Sequence, residues 1–569
     1  MKQLHFSIML SILLSIFVVQ SYAHDIEVKN ADGVTIYYVW TNNKAELAVS
    51  YRGSSFDNFS DEYIGNVVIP SSVIYKEKTY PVTSVSMKAF YGCTSLTSIT
   101  IPNSVIYIKE YAFYHCKALK AVTIPNNVTS IDQAAFCGCS SLTSLTIGNS
   151  VTSIGLSAFS GCSKLTSIII PNSVTTIGQD AFGGCIGLTS INIPNSVTSI
   201  GLTALRDCTG LTSVTIPQTV TSIGGGVFSG CSSLTTLKVE AGNPVYDSRD
   251  NSNAIIETAT NTLIAVCQAT NIPNSVTSIG VYAFSGCKWL SSITLPNSVT
   301  SIGAAAFMNC TGLVSVIIPN SVTFIDHSVF QGCTSLTSIV IPNGVPSIGE
   351  STFSFCTSLA SITIPNTVLS LGRWSFCNCT SLASITIGNG IISIGNEAFN
   401  GCKKLSEVIC LAENVQTASL SAFFAVPIQN ATLKVPENSI DLYKSQKPWC
   451  DFGEIVVYSP DNEAANSVIA KIKAIGKVVY TDVSKARIDA ARKAYEALTD
   501  VQKALVTNVA NLIAAEAKYL ELQELATGIN VVSVDNAENI WYDLSGRQLS
   551  KKPVTKGVYI QNGKTVLIK

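Results

Sequence analysis

Hydrophobic and polar residues alternate over short segments along most of the chain, and the same order of residues returns many times. In the segment "LTSITIP", Ile99 and Ile101 fall on one side of an extended chain, and Ser98 and Thr100 fall on the other. This alternation predicts a short strand with one buried face. Pro102 ends the strand because proline lacks the N–H that a sheet requires. A second extended piece, "VTSIG", and a tight turn, "AFxGC", complete each copy.

Each copy closes on a cysteine, and these cysteines keep one register. Within two groups they are 23 residues apart, and the groups are separated by 56 residues, one repeat plus an insert of 33. The thirteen members are Cys93, Cys116, Cys139, Cys162, Cys185, Cys208, Cys231, Cys287, Cys310, Cys333, Cys356, Cys379 and Cys402. A fixed period of this length predicts a repeat solenoid. One coil buries too little apolar surface to fold alone, so we expect the coils to stack.

The first residues have the organisation of an export signal. Lys2 precedes an apolar run from Phe6 to Val19, and the small residues Ser21 and Ala23 predict a signal peptide over residues 1–23. The apolar run is too short for a comfortable membrane span, and no later segment reaches about 18 continuous apolar residues. We therefore expect an exported protein, secreted or held at the cell surface, without a transmembrane span in the mature chain.

The cysteine column allows two interpretations. Coils about 4.8 Å apart would bring neighbouring cysteines within disulfide range, and export permits oxidation. Cysteine is also among the most buried residue types, and its weak S–H donor suits a crowded turn. Thirteen equivalent positions cannot pair evenly, so we favour a structural column of buried free thiols. Cys137 and Cys377 form C-x-C pairs, but no second pair completes a metal site, and we interpret them as packing variants.

The repeat "LTSIxIPNSVTSIGxxAFxGC" resembles the BspA-like leucine-rich repeat family over residues 67–435. The resemblance implies a curved, right-handed leucine-rich repeat solenoid, mostly β with short helical turns. It also implies a secreted or surface-displayed protein, since some members of the family adhere to host proteins or to other cells.

The segments next to the repeats predict a cap and an insert. Residues 24–66 contain "DGVTIYYVW" and "KAELAVSY", which predict an N-terminal β cap over the otherwise unpaired first coil. The insert, about residues 239–271, predicts a polar turn and a small hairpin that projects from one coil. Its Asp and Asn residues are Asp247, Asp250, Asn251 and Asn253. Because their spacing lacks the glycine and the terminal glutamate of an EF-hand, we interpret them as turn residues and not as calcium ligands.

The repeat stops before residue 436, and three further segments follow. Residues 436–459 predict a C-terminal cap, in which Trp449 and Phe452 cover the last coil. Residues 460–526 are rich in Ala, Lys and Glu, and predict a bundle of three helices that resembles FIVAR-type modules of bacterial surface proteins. That resemblance implies a spacer or an accessory binding module. Residues 527–569 return to a β pattern and resemble the sorting domains of type IX secretion, which implies delivery to the surface.

Local signals support the bundle and the tail. Pro460 follows Ser459 at the start of the first helix, and Thr499 to Gln502 form a capping box before the third. The apolar positions at helical spacing are Ile488, Ala491, Tyr495 and Leu498 in the second helix, and Leu505, Val509, Leu512 and Leu520 in the third. Asn562 and Gly563 predict the turn of a hairpin in the tail.

The composition excludes several functions. Charged residues make up 13% of the chain and the net charge is −1, so no basic field is available for nucleic acid or an anionic membrane. His115 and His327 are about 40 Å apart at the spacing of stacked coils and cannot share a catalytic site. We find no phosphate loop, zinc motif or nucleophile elbow. The sequence predicts no enzyme, no cofactor and no metal site.

One column of the repeat varies freely while the core columns do not. It is the second residue after I-G, and it includes Tyr111, Tyr282 and Trp374. A position free to differ is expected to be exposed, which makes these aromatic residues candidate binding residues; the alternative is drift at a tolerant surface position. Tyr107, Tyr111 and Tyr114 form the stronger local candidate, because several rings can meet there.

These observations favour a non-enzymatic protein that mediates protein–protein interaction or adhesion. Its expected partner is a host or microbial surface protein, such as an extracellular-matrix protein, and a glycan is a second candidate ligand. The alternative function is a structural or glycan-associated component of the cell envelope, with the helical module as a spacer.

Overall fold

A computed structural model describes residues 24–52, 62–415, 417–527, 541–543, 546–549, 551–555, 557–561 and 564–568. The predicted signal peptide and the Asn562–Gly563 turn lie outside the described residues. The chain divides into two compact units, one extending to Val457 and the other beginning at Tyr458.

The first unit is a β-solenoid in which each 23-residue repeat forms one coil, as predicted. The segment "LTSITIP" gives the first strand of a coil. These strands are Gly65–Val68, Leu96–Thr100, Ala121–Thr123, Ser144–Thr146, Ser167–Ile169, Ser190–Asn192, Ser213–Ile216, Thr236–Val239, Ser292–Thr294, Ser315–Ile317, Ser361–Ile364, Ser384–Ile387, Glu407–Cys410, Thr432–Val435 and Glu454–Val457. They pair in parallel in several short sheets, with residues 23 positions apart opposite each other, for example Ser361 and Ser384.

The segment "VTSIG" gives the second strand of a coil. These strands are Lys78–Val85, Tyr107–Ile108, Ser130–Ile131, Ser153–Ile154, Thr176–Ile177, Ser199–Ile200, Ser222–Ile223, Ser278–Ile279, Ser301–Ile302, Phe324–Ile325, Ser347–Ile348, Ser370–Leu371, Ser393–Ile394 and Thr417–Ala418. They also pair in parallel with the 23-residue register. Threonines beside them extend the ladder, since the Oγ1 of Thr152 donates to the carbonyl of Thr129.

The interior of the coils is filled by identical side chains stacked on one another. Phenylalanines of successive coils lie face to face with ring centroids 4.8 to 5.7 Å apart, from Phe90 to Phe182 and from Phe284 to Phe423. The rings are buried because each covers the next. Stacking therefore supplies the apolar contact that one coil lacks.

Both ends of the solenoid are closed by aromatic residues. The N-terminal β sheet is formed by the strands Ile26–Lys29, Thr35–Thr41 and Glu46–Ser50. The strand Ser72–Tyr75 forms a hairpin with Lys78–Val85. Tyr63 lies against Phe90 with centroids 4.5 Å apart. At the other end, a short helix, α1 (Ile440–Ser445), precedes two further aromatic residues. Trp449 and Phe452 are buried, with ring centroids 5.6 and 5.2 Å from that of Phe423.

The insert lies inside the stack, which corrects the expectation that its hairpin projects from one coil. Its strands are Tyr246–Asp247, Ala254–Glu257 and Thr262–Val266, and the last pairs in parallel with Ser278–Ile279. Ile255 belongs to the hydrophobic core on the N-terminal side, and Ile256 to the separate core on the C-terminal side. The hairpin is buried because both of its faces are apolar, so it divides the interior into two cores.

The Asx residues of the insert make turns. Asp250, Asn251 and Asn253 have φ values of 57°, 52° and 54°, in the left-handed region that Asn and Asp tolerate. Asp247 forms an ion pair with Arg249 at 2.8 Å. No group of residues suited to hold a metal ion is found in the described part of the chain.

Over residues 460–527, which the structure describes, the chain forms four helices where the sequence predicts three. They are α2 (Pro460–Ile475), α3 (Asp482–Glu496), α4 (Asp500–Ala504) and α5 (Val509–Thr527). The capping box at Thr499 is present, but the helix that it starts ends after five residues. Leu505, which follows the end of this helix, is exposed although it is predicted to face the bundle core. Leu520 is also exposed, because the buried face of α5 runs through Leu512, Ala515 and Tyr519. Ile488 and Ala491 are buried as the predicted stripe requires.

The tail contains the strands Trp541–Tyr542, Gln548–Leu549, Gly557–Gln561 and Lys564–Ile568. The last two pair in antiparallel fashion, which is the hairpin that the sequence predicts. In the described residues, no helix combines the length and the apolar character that crossing a membrane requires.

Candidate interaction surface

The strongest aromatic candidate from the sequence is divided by the structure. The rings of Tyr111 and Tyr114 meet edge to face with centroids 5.6 Å apart. Tyr107 lies on a second strand between Ser84 and Ser130, is 44% exposed, and carries the Lys109 ammonium 4.7 Å from its ring centroid. No ring contact joins it to the other two tyrosines within the described residues, because the chain turns a corner between them.

Two residues that the sequence analysis left out complete the cluster. Tyr91, on the preceding coil, stacks on Tyr114 with centroids 4.9 Å apart. His115 stacks on Tyr114 at 4.1 Å, and the Gln133 side-chain amide donates to the Tyr111 hydroxyl at 2.7 Å. The signal for Tyr91 was its separation of 23 residues from Tyr114, which places the two rings at the same position in adjacent coils. Tyr91, Tyr111, Tyr114 and His115 are hereafter the aromatic cluster.

The surroundings of Tyr114 and His115 disfavour the charged form of each side chain. Partial burial, together with the nearby Lys117, lowers the pKa of His115, so the imidazole stays neutral over a wider pH range. Partial burial also raises the pKa of Tyr114. Each of the four side chains is half-buried. Three phenol rings and an imidazole offer apolar ring area together with hydrogen-bonding atoms, a combination common at protein interfaces.

The variable column is not exposed, contrary to the expectation from its sequence. All thirteen residues have positive φ, between 51° and 65°, and twelve of them are not glycine. Ala134, Gly226, Ala305 and Ser351 are buried, and the rest are half-buried. The column lies at a corner of the coil, where each side chain packs against the same position of its neighbours. The variable residues are therefore partly or fully covered by neighbouring coils.

Tyr282 and Trp374 show this packing. Tyr282 lies over Gly226, where an added Cβ would be 3.0 Å from the Cβ of the tyrosine. The Trp374 indole N–H donates to Glu397 at 3.2 Å, and the Arg373 guanidinium lies 3.5 Å from the ring centroid. Both rings are half-buried within the stack. The structure does not bring either of them near the aromatic cluster.

The thirteen column cysteines are buried, and all eighteen cysteines of the chain are unbridged. In eleven coils the Sγ donates to the backbone carbonyl 26 residues earlier, at 3.0 to 3.4 Å. Burial raises the pKa of the column thiols from Cys139 to Cys402, for example that of Cys208 and Cys333 to about 12. The column is therefore protonated and works as a set of hydrogen-bond donors between coils.

The fold and the column define a leucine-rich repeat solenoid. The model of the BspA type leucine rich repeat region (6 copies) matches residues 55–185, 153–252, 265–383 and 323–445, which is more than half of the chain. This chain belongs to that family. No curated protein sequence matches it.

The chain is also similar to solved structures of leucine-rich repeat and surface proteins. A leucine rich cell surface protein from Faecalibacterium prausnitzii A2-165 is 30% identical, with a TM-score of 0.52 over 68% of this chain and 95% of that one. A leucine-rich repeat protein from Bacteroides ovatus ATCC 8483 is 29% identical, with a TM-score of 0.41 over 68% and 97% of the two chains. The pneumococcal vaccine antigen PcpA is 20% identical, with a TM-score of 0.48 over 77% and 99%.

Proposed function

We propose that this protein is exported to the cell surface, has no catalytic activity, and binds another surface protein through its solenoid. Membership of the family and the similarity to a leucine rich cell surface protein support a surface scaffold for protein interaction. The predicted signal peptide supports export. The absence of a catalytic motif and of a shared histidine site supports a function in binding.

The observation that carries the proposal is the aromatic cluster. The outward positions of the first and second strands are mostly Ser and Thr, which offer little binding energy individually. The cluster concentrates four ring side chains on two adjacent coils, with Gln133 of the next coil bonded to Tyr111. Tyrosine supplies large contact area at a small cost in conformational entropy. The partner is accordingly a host or microbial surface protein, such as one of the extracellular matrix.

Surface-plasmon binding to an array of extracellular-matrix and bacterial surface proteins tests this function. We expect saturable binding, and the double variant Tyr111→Ser/Tyr114→Ser should weaken it at least tenfold. Phe324→Ser is the matched control, because Phe324 is a single exposed ring on another part of the solenoid. The proposal would be contradicted if the protein bound nothing on the array, or if the double variant and Phe324→Ser lost the same amount of binding affinity.

A structural or glycan-associated role in the envelope is the second candidate. It is favoured by the helical module, which forms a compact unit separate from the solenoid. Its helices α3 and α5 are joined by a bidentate pair between Arg492 and Glu516, with both N–O distances 2.6 Å. The similarity to FIVAR-type modules and to sorting tails supports a spacer and delivery to the surface. Glycan-array binding by the intact protein, with the matrix array silent, would favour this role.

A further inference from the structure

The sheet of first strands is interrupted where the insert enters the solenoid. The sheet built from the first strand of each coil ends at Thr236–Val239 before the insert. After the insert, the next strand of this kind is Ser292–Thr294. Ser292–Thr294 pairs with Ser315–Ile317 alone, in a sheet of two strands. The interruption therefore creates two strand edges that face each other across a gap.

The insert covers the first of these edges with its own side chains. The Asn253 amide accepts from the Leu237 N–H and donates to the Thr235 carbonyl, both at 2.8 Å. The Ser248 hydroxyl accepts from the Val239 N–H at 3.0 Å. These are the backbone groups that a following coil would otherwise bond, so the edge of Thr236–Val239 is satisfied within the chain.

The second edge has no such cover. Leu295 donates its N–H forward to the Ile317 carbonyl at 3.1 Å. Because the backbone groups of successive strand residues point to alternate sides, the N–H and C=O of Ser292 and Thr294 point back into the gap. Within the described residues, no protein group bonds to them on that side. A strand edge of this kind is a template for another strand.

The gap is a groove lined by both polar and apolar residues, and the apolar side chains of Phe284, Trp289 and Ile293 are called its floor. Its cavity of about 420 Å³ is lined by Trp289, Phe284, Asn271 and the strand itself, and every lining residue is uncharged. Ile293 is half-buried, whereas its equivalents Ile99 and Val316 in other coils are 7% and 6% exposed. The core is thus incomplete at this point, where an apolar side chain from the preceding strand would normally lie.

We propose that an extended segment of the partner polypeptide binds this groove as an added strand along Ser292–Thr294. The inference rests on the proposed protein-binding function and names a second site for it, apart from the aromatic cluster. Main-chain hydrogen bonds to Ser292 and Thr294 supply part of the affinity, as in other cases of strand addition. One apolar side chain of the segment packs against Ile293 and Trp289.

The groove also sets the chemistry of the segment. Four residues from Ser291 to Thr294 extend over about 13 Å, so a segment of about that length is matched. Successive side chains of the segment alternate between the floor and solvent. The segment should therefore carry an aliphatic residue between small or hydroxyl residues, and no charge near the floor, where a charge would be buried without a partner.

The segment that a solenoid coil would supply here is known from the repeat itself. A fluorescein-labelled peptide Leu-Thr-Ser-Ile-Thr-Ile-Pro, the sequence of residues 96–102, is therefore the probe. The control peptide carries N-methyl groups on both isoleucines, which removes the N–H groups directed at the edge. Fluorescence anisotropy with the full chain should show saturable binding of the first peptide, at least tenfold tighter than the second.

Protein variants separate the groove from the rest of the surface. Ile293→Lys should weaken peptide binding at least tenfold, and Ile317→Lys, on the adjacent strand, should leave it unchanged. Asn271→Trp, which narrows the groove, gives the same test if circular dichroism shows that Ile293→Lys does not fold. Hydrogen exchange should slow at the amides of Ser292 and Thr294 when the peptide binds.

Several results would overturn the inference. The first is that the peptide shows no saturable binding to the wild-type protein, or that both peptides bind equally well. The second is that Ile293→Lys and Ile317→Lys change peptide binding to the same extent. The third is a dimer of the protein that the peptide dissociates, because a second copy would then occupy the groove. If the protein binds on the matrix array but not to the peptide, the groove proposal fails and the proposed function stands. If the peptide binds but no protein on the matrix array does, the groove proposal stands and the proposed function fails.

Discussion

The Sγ of Cys310 donates a hydrogen bond to the backbone carbonyl of Phe284, 26 residues earlier, at 3.0 Å. The two residues belong to adjacent coils, so the bond joins one coil to the next. The equivalent bond from Cys162 to Phe136 is 3.4 Å long. The column of thiols therefore binds the turns of successive coils together, and its conservation along the repeat has a physical cause.

Removal of one thiol should cost a modest amount of stability. Cys162→Ala deletes a fully buried sulfur and its hydrogen bond to the Phe136 carbonyl. That carbonyl still accepts a hydrogen bond from the Cys139 N–H at 3.2 Å, so it is not left without a partner. We expect the free energy of unfolding to fall by about 1 to 2 kcal/mol in a denaturant titration. Cys450→Ala, outside the column and half-buried, is the control and should change it by less than about 0.5 kcal/mol.

The protonated column should make the protein sensitive to alkali. Burial raises the pKa of Cys287 and Cys402 from 9.0 to about 12. The folded state keeps the proton where the unfolded state loses it, so this stability is fully present below pH 9 and is lost as the pH rises towards 12. Each thiol contributes a slope of about 1.4 kcal/mol per pH unit in that range. Urea midpoints at constant temperature should be level from pH 7 to 8.5 and fall steeply above pH 9; a flat profile to pH 11 would refute this.

The left-handed corner should be improved by glycine. Ser328 has a φ of 58°, which costs a residue with a Cβ of the order of 1 kcal/mol. Ser328→Gly should therefore raise the free energy of unfolding by about 0.5 to 1 kcal/mol. The same substitution at Ser347, inside the strand Ser347–Ile348, should lower it instead. Thermal melts of the two variants check the opposite signs, and two changes of equal sign would exclude corner strain as the cause.

The period and the strands could be predicted from the sequence because both follow from a repeated pattern of residue types. The corner conformation could not, since glycine occupies it in Gly226 alone, and polar or aromatic residues elsewhere hide the positive φ. Variation in this column does not indicate full exposure, because its residues are half-buried or buried at a corner of the coil. The same comparison of equal positions would have joined Tyr91 to Tyr114.

The place of the insert was misjudged although the sequence contained a signal for it. "AIIE" and "TLIAV" carry apolar residues on both faces of each strand, which is typical of strands covered on both sides. A hairpin that projected into solvent would have needed one polar face. In the helical module, the prediction for Leu505 fails for a different reason. Leu505 follows the end of α4, so it cannot continue the apolar face of that helix.

The partition of the core predicts two regions that open separately. Ile255 faces the N-terminal core and Leu263 the C-terminal core, and both are fully buried. Ile255→Ala and Leu263→Ala should each cost about 2 to 4 kcal/mol. Hydrogen exchange should localise the loss to coils before the insert in the first variant and after it in the second. A uniform change across all coils in both would contradict two separate cores.

The most direct test of the stacked solenoid is a thiol count with a disulfide reagent at pH 8, without reductant. The chain has eighteen cysteines, and the structure buries all but Cys137 and Cys450, which are half-buried. We predict about two fast-reacting thiols in the native protein and eighteen in denaturant. Fewer than eighteen in denaturant would reveal bridges in the column, and rapid reaction of most thiols in the native state would show that the coils do not enclose them.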